Sequence, residues 1–247
     1  MCSSDLRALP DDGFAVLDAD SPFFNFCVSQ LRAGCVSISL SDSPTSTWRG
    51  SLNDNELRIE GVDATFVAPL AGCHNARNLF MAAALANRLG LAWEDMNAAL
   101  EKLHVPGMRG QSFELRGRRV INDAYNANPM SMRCAFETFA QQTRDWQGRR
   151  IVVLGDMREL GETSEALHRA LGEFIARHAL KLDVLVVVGA MGEWIADAFQ
   201  NAGGAAKVLR FADAPTAAQT VWEWTREGDV VLLKASRGIG LERIFEG

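Results

Sequence analysis

Four short segments of this 247-residue chain combine residue types that can bind or activate a substrate. The first is Gly72-Cys73-His74-Asn75-Ala76-Arg77-Asn78. On a helix, Asn75 and Asn78 stand three residues apart and point to one side. Two carboxamides, each with donors and an acceptor, can read a purine edge as two hydroxyls cannot. The competing reading is that Asn75 caps the helix and Asn78 is solvated. The second segment, Asn122-Asp123-Ala124-Tyr125-Asn126-Ala127-Asn128-Pro129, follows a short apolar strand. Asn128 then Pro129 is an N-cap and first-turn pair for the next helix. Capping does not require Asp123, Tyr125 and Asn126 together, and a carboxylate at a strand end can accept hydrogen bonds from sugar hydroxyls.

The third segment is Gly155-Asp156-Met157-Arg158-Glu159-Leu160-Gly161, again delivered by a strand, with Thr163 as candidate N-cap and Glu165 in the first turn beyond. A local salt-bridge or capping network is its other reading. The fourth, Lys234-Ala235-Ser236-Arg237-Gly238, places an amine, a hydroxyl and a guanidinium after VVLL. Those groups suit a carboxylate or a phosphate, and equally a surface salt-bridge cluster.

Positioning these segments takes a regular scaffold. The strand candidates SFELRG, RRVINDA, RRIVVLGD, DVLVVVGA, AKVLRF and GDVVLLKA alternate with helical stretches over 129–144, 163–178, 192–201 and 216–226. Short apolar strands alternating with amphipathic segments predict a mainly parallel sheet covered on both faces. Such sheets carry ligand-binding loops at the carboxyl ends of their strands. Upstream, FAVLDAD, GCVSISL, LRIEG and ATFVAPL read as strands, the last two as an antiparallel pair, and SDSPTSTWRGSLNDN reads as a polar interval. Helices are expected over 75–89 and in WEDMNAALEKL, and HVPGMRG is the boundary, giving domains 1–107 and 108–247. VVVGAMGEW lacks the GxGxxG spacing and reads as a tight strand-to-helix turn.

Composition narrows the function classes. At 48% hydrophobic and 23% charged, the chain is globular rather than disordered. A formal charge of −6 gives no basic excess for nucleic acid. No apolar run reaches the roughly 18 residues of a membrane span, and the start lacks a secretory signal, so no membrane insertion and a cytoplasmic location are expected. The five cysteines, Cys2, Cys27, Cys35, Cys73 and Cys134, form no CxxC and read as single thiols.

Together the four segments resemble the Mur ligases, the amide-forming ligases of bacterial cell-wall synthesis. GCHNARN is similar to the family's GxHNxxN element, NDAYNANP to its DxYNANP element and KASRG to its KGSR element, with Ala235 in place of the glycine. GDMRELG resembles the branch that joins D-alanyl-D-alanine to UDP-N-acetylmuramoyl-tripeptide. The resemblance runs from about Ala8 onward, in the family's order. It implies an α/β chain: a C-terminal Rossmann-like sheet with helices on both faces, preceded by an incomplete piece of the central ATPase domain. Asn75 and Asn78 would contact adenine, Asp123 the ribose, and Arg109 the nucleotide phosphates, although GMRG departs from the family's adjacent Gly-Arg pair. Arg109 and Lys234 are the implied catalytic residues, and Asn126, Asn128, Ser236 and Arg237 fall in the substrate cleft. ATP with Mg²⁺ would convert the tripeptide carboxylate to an acyl phosphate, which the dipeptide amine attacks. A monomer is expected for the full-length enzyme.

The departure is an absence. No GxxxxGK[ST] phosphate loop occurs in the 247 residues, and the phosphate loop and main Mg²⁺ ligands are expected upstream. His74 has no metal-binding partners in sequence and is not assigned to a metal. The opening residues carry no family element, so a truncated and inactive fragment is expected, with unpaired strand edges and exposed apolar surface. The alternatives are a non-catalytic nucleotide- or dipeptide-binding module and a subunit complemented by another chain.

Overall fold

The computed structural model describes residues 3–53, 55–69, 72–103 and 107–245. His104, Val105 and Pro106 of HVPGMRG, and Leu70 of ATFVAPL, lie outside the described residues. The chain divides into two units, Met1–His104 and Val105–Gly247.

In the first unit, α1 (Ser3–Arg7), β1 (Phe14–Asp18), α2 (Phe24–Ser29), β2 (Gly34–Ser39), β3 (Trp48–Asn53), β4 (Glu56–Ile59) and β5 (Thr65–Val67) lead to α3 (Cys73–Arg88) and α4 (Trp93–Leu100). The sheet has the order β1-β2-β3-β4-β5. Strands β1, β2 and β3 run parallel, and β4 and β5 add antiparallel. The pairing of β4 with β5 is the expected one. Strand β3 lies inside the segment read as a polar interval; its exposure alternates residue by residue and its side chains are mostly small or polar, so it carries little apolar signal. Helix α3 presents Ala76, Phe80, Ala83 and Ala84 to Val36, Ile38, Leu57 and Phe66, at the spacing of one helix face. It begins at Cys73 with Gly72 as N-cap at φ 107. Asn75 therefore sits within the first turn, and its capping role is overturned. Strand β1 is an edge strand, and near it Phe23 and Phe26 are 67% and 55% exposed beside a cavity of about 420 Å³ lined by Leu17, Phe24 and Met81.

The second unit contains β6 (Gln111–Leu115), β7 (Arg118–Asn122), α5 (Pro129–Gln142), β8 (Arg150–Gly155), α6 (Ser164–Arg177), β9 (Val184–Val188), α7 (Gly192–Asn201), β10 (Lys207–Phe211), α8 (Ala214–Trp224) and β11 (Val230–Lys234). Its sheet order is β10-β9-β8-β11-β7-β6, parallel throughout except for the β6 edge. Alternate residues leave the sheet in opposite directions. Val152, Leu154, Leu185, Val187 and Leu232 pack with Phe136, Leu171, Ile195 and Phe199 of α5, α6 and α7. Their neighbours Ile151, Val153, Val186, Val231 and Leu233 pack with Ala217 and Val221 of α8 and with Leu241 and Ile244. A sheet buried on both faces needs strands apolar at every position, which is why VLVVV and VVLL were legible as strands. Thr163 holds the N-cap position of α6, which starts at Ser164, but makes no side-chain capping bond: its hydroxyl donates to the Leu160 carbonyl at 2.8 Å. Helix α8 starts two residues before the expected 216, because Asp213 accepts from the Thr216 amide in a capping box.

Phe80 is fully buried in the first unit's core. Phe80→Ala is expected to cost about 3 to 5 kcal/mol, read as faster amide exchange along α3; unchanged protection there would refute the packing described.

Candidate functional site

Parallel strands β7, β11 and β8 are neighbours, so the loops that follow them emerge side by side at one edge of the sheet. These loops carry NDAYNANP, KASRG and GDMRELG. Lys234 closes β11 with its side chain 3% exposed, and its Nζ donates to Asp123 Oδ2 at 2.6 Å and to the Asn126 carbonyl at 3.1 Å. The Asp123 carbonyl lies 3.4 Å from the same amine. An ammonium has three hydrogens, and here all of them face oxygens of the loop after β7. Asp123 Oδ1 receives no hydrogen bond among the described residues.

The rest of that loop is held locally. Asn122 Oδ1 accepts from the Ala124 amide at 3.1 Å, and Asn126 Oδ1 accepts from the Ala127 amide at 2.9 Å. Asn128 caps α5 as expected: its Oδ1 accepts from Ser131 N–H at 2.8 Å and its own N–H donates to Ser131 Oγ at 3.0 Å, with Pro129 opening the helix. The Tyr125 amide donates to the Met108 carbonyl at 3.0 Å. That bond brings the neighbouring Arg109 over the tyrosine ring, Cζ 4.0 Å from its centroid, while Arg237 lies 5.2 Å from the same ring. Guanidinium over an aromatic face is attractive, so both cations are fixed against Tyr125.

A second tie joins the loops after β8 and β11. Ser236 N–H donates to the Asp156 carbonyl at 3.1 Å, and Arg158 N–H donates to Ser236 Oγ at 2.9 Å. Ser236 is buried, so its hydroxyl braces the loop and does not face open solvent. Arg158 lies across the bare backbone of Gly238, where an added Cβ would stand 2.9 Å from the guanidinium carbon. Ala235 is buried with its methyl toward Gly155, where a Cβ would come within 2.7 Å of it. The bare backbone of Gly155 on the neighbouring strand leaves the room that this methyl occupies.

The sequence did not single out His168, which is fully buried on α6. Its Nε2 accepts from the Met157 amide at 3.0 Å, and its Nδ1 lies 2.7 Å from the Ser164 carbonyl. Nε2 as acceptor places the ring proton on Nδ1, a neutral tautomer that pins Met157 and hence Arg158. The Asp156 carboxylate accepts from the Met191 and Gly192 amides at 3.0 and 2.8 Å. Burial raises its pKa above the usual value, and the Gly192 amide pulls only partly the other way.

Asn75 and Asn78 belong to the first unit, on α3, half-buried and exposed respectively. Between them in sequence, Arg77 pairs with Asp18 at 3.2 Å and Asp20 at 3.6 Å, joining the start of α3 to the end of β1. Although burial acts to raise it, hydrogen bonds from Ser39 and Leu40 and the charge of Arg77 hold the Asp20 carboxyl below its usual value. Among the described residues no group of three or more His, Cys, Asp or Glu side chains forms a metal centre, and no helix is long and apolar enough to cross a membrane.

A folded-state pKa raised by burial means that Asp156 contributes most to stability below its unfolded value of 3.8 and that this contribution is lost as pH rises through the folded value. An asparagine keeps the acceptor for both amides without the buried charge. Asp156→Asn is therefore expected to gain in melting temperature relative to the parent chain as pH rises from acid to neutral; a relative loss over that range would overturn the assignment.

Residues 108–237 match the family model for the Mur ligase glutamate ligase domain. The UDP-N-acetylmuramoyl-tripeptide--D-alanyl-D-alanine ligase of Bacillus subtilis is 31% identical over 98% of this chain and 52% of its own length. MurF from Acinetobacter baumannii has a similar fold, with a TM-score of 0.81 at 24% identity over 98% of this chain and 52% of that one. A MurF ligase from Thermotoga maritima, solved in complex with ADP, has a TM-score of 0.73 at 23% identity, over 98% of this chain and 54% of that one. The chain spans about half the length of the relatives it matches. The family match takes in the loops after β7 and β8 and, after β11, Lys234 through Arg237, and on that ground the chain belongs to the Mur ligase family.

Proposed function

We propose that this chain supplies the nucleoside-binding and acceptor-binding parts of an ATP-dependent ligase that joins D-alanyl-D-alanine to UDP-N-acetylmuramoyl-tripeptide in peptidoglycan precursor synthesis. The reading is supported above all by the meeting of the NDAYNANP and KASRG loops through Lys234 and Asp123, 2.6 Å apart, together with the activity named for the Bacillus subtilis relative. Residues 1–107 are assigned to part of the central ATP-binding domain and 108–247 to the C-terminal domain.

A carboxylate oxygen is a poor leaving group, and phosphorylation by ATP makes the tripeptide carboxyl reactive toward the dipeptide amine. Asn75 and Asn78 are proposed to read adenine. Asp123 receives the ribose hydroxyls through Oδ1, the oxygen that Lys234 leaves free. Lys234 acts through Asp123 as a positioning residue, since its hydrogens already face loop oxygens. Arg109 is the cation proposed to meet phosphate, where positive charge offsets that on the transferring group. Asn126 and Arg237 face the acceptor cleft, while Asn128 and Ser236 shape it through the cap and the loop tie. No residue of this chain is assigned to Mg²⁺.

The test is ATP- and D-alanyl-D-alanine-dependent product formation by the full-length parent and by these 247 residues. Turnover is expected from the parent and not from the 247 residues alone; parent-like turnover by the shorter chain, or none by the parent, would sink the reading. In the parent, Asp123→Asn removes a charge-assisted bond worth about 1.5 to 3 kcal/mol, which lowers kcat/KM by about 10- to 150-fold. It also lowers the melting temperature because Lys234 loses its partner. A lowered melting point with unchanged kcat/KM would reduce Asp123 to a loop support.

A further inference from the structure

The ladder of β8 ends at Gly155, and the chain leaves the sheet through Asp156 and Met157 while still buried. A buried amide past the end of a strand needs an acceptor. Helix α6 supplies one: the fully buried His168 takes the Met157 N–H on Nε2 at 3.0 Å. Two contacts hold the ring in that orientation. Its Nδ1 lies 2.7 Å from the Ser164 carbonyl one helical turn back, and it meets the Trp194 indole of α7 edge-on, with ring centroids 5.8 Å apart. Apolar filling alone would be served by the side-chain types that the same face of α6 presents at Leu171 and Ile175. One residue beyond Met157, the Arg158 N–H donates to Ser236 Oγ at 2.9 Å. The imidazole is thus the first of two braces on the turn, and it sets where the second begins. The charged group that acts on the ring is Asp156, on which Arg158 also acts. Glu165 and Arg169 of α6 pair with each other, and Glu193 of α7 pairs with Arg210.

We propose that His168 is a positioning residue of the ligase: its neutral ring holds the turn after β8 in its working shape, and a proton on Nε2 releases that turn. This rests on the ligase reading above and goes beyond it, since a fully buried side chain acts through Met157 and not on a substrate. Neutral imidazole offers one acceptor and one donor, which match an N–H on one side and a carbonyl on the other. Imidazolium offers two donors. The added proton then points at the Met157 N–H, and an attractive contact becomes a repulsive one. No neighbouring group needs to move for the bond to be lost.

The chain has four histidines, few enough for their ring nitrogens to be followed one by one by NMR. At neutral pH His168 is expected to carry its proton on Nδ1 and none on Nε2. On acidification the Met157 amide should lose its exchange protection in step with protonation of that ring, while β9 stays protected. A proton on Nε2 at neutral pH, or Met157 protection that outlasts the charging of the ring or is lost only together with β9, overturns the proposal; none of this needs a variant. In the full-length ligase His168→Phe keeps a buried ring without an acceptor, and His168→Gln restores an oxygen that accepts but does not titrate. Leaving a buried amide unbonded corresponds to a factor of about 5 to 150. The kcat/KM of the Phe variant, read well below its melting temperature, should fall by such a factor, and the Gln variant should recover most of it. A Phe variant with a lower melting temperature and unchanged kcat/KM, or a Gln variant no better than Phe, reduces His168 to core packing. A parent without turnover refutes the ligase reading instead.

Discussion

A lysine ammonium at the end of a fully buried strand must be neutralised, and that requirement organises the carboxyl edge of the second unit. Lys234 leaves β11 among apolar neighbours and finds its oxygens in the loop after β7. Removing one partner of such a buried pair typically costs about 3 to 5 kcal/mol, because the other charge stays behind. The pair thus makes the geometry of the NDAYNANP loop a condition of folding. The loop does not wait for a ligand to take its shape.

Charge is distributed unevenly along this edge. Of the two aspartates that end β7 and β8, Asp123 is given a cation and Asp156 is given backbone amides. Asp156 spends its hydrogen bonds on the start of α7, while the charge of Arg158 acts on it from the adjoining turn. The amide groups at a helix start carry partial positive charge, and here they hold the carboxylate by direct hydrogen bonds.

Much of this was legible in the sequence, for identifiable reasons. Continuous apolar runs such as VLVVV declare strands covered on both faces, and Asn128-Pro129 declares a helix start, because each depends on local chemistry. Strand β3 was hidden because a half-exposed strand of small polar residues lacks apolar alternation. The capping reading of Asn75 failed since Gly72, at φ 107, starts α3 earlier than an asparagine cap would. The four motifs marked which loops matter but not how they are joined. The contacts of Lys234 with Asp123 and of His168 with Met157 span 111 and 11 residues, and only the packed sheet brings the first pair together. Ser164 and His168, four apart on α6, were the one local hint of the second.

The burial of Lys234 also sets the chemical reactivity of the chain. Lysine occurs at only four positions, and Lys102, Lys181 and Lys207 are exposed. In acylation an uncharged amine attacks the acyl carbon of a reagent arriving from solvent and displaces its leaving group, and the ion pair and the strand end deny Lys234 that encounter. Amine-directed dyes and surface coupling therefore modify the folded chain away from the cleft. Acylation at Lys234 records the moments when β7 and β11 part at that edge, a built-in clock for local opening.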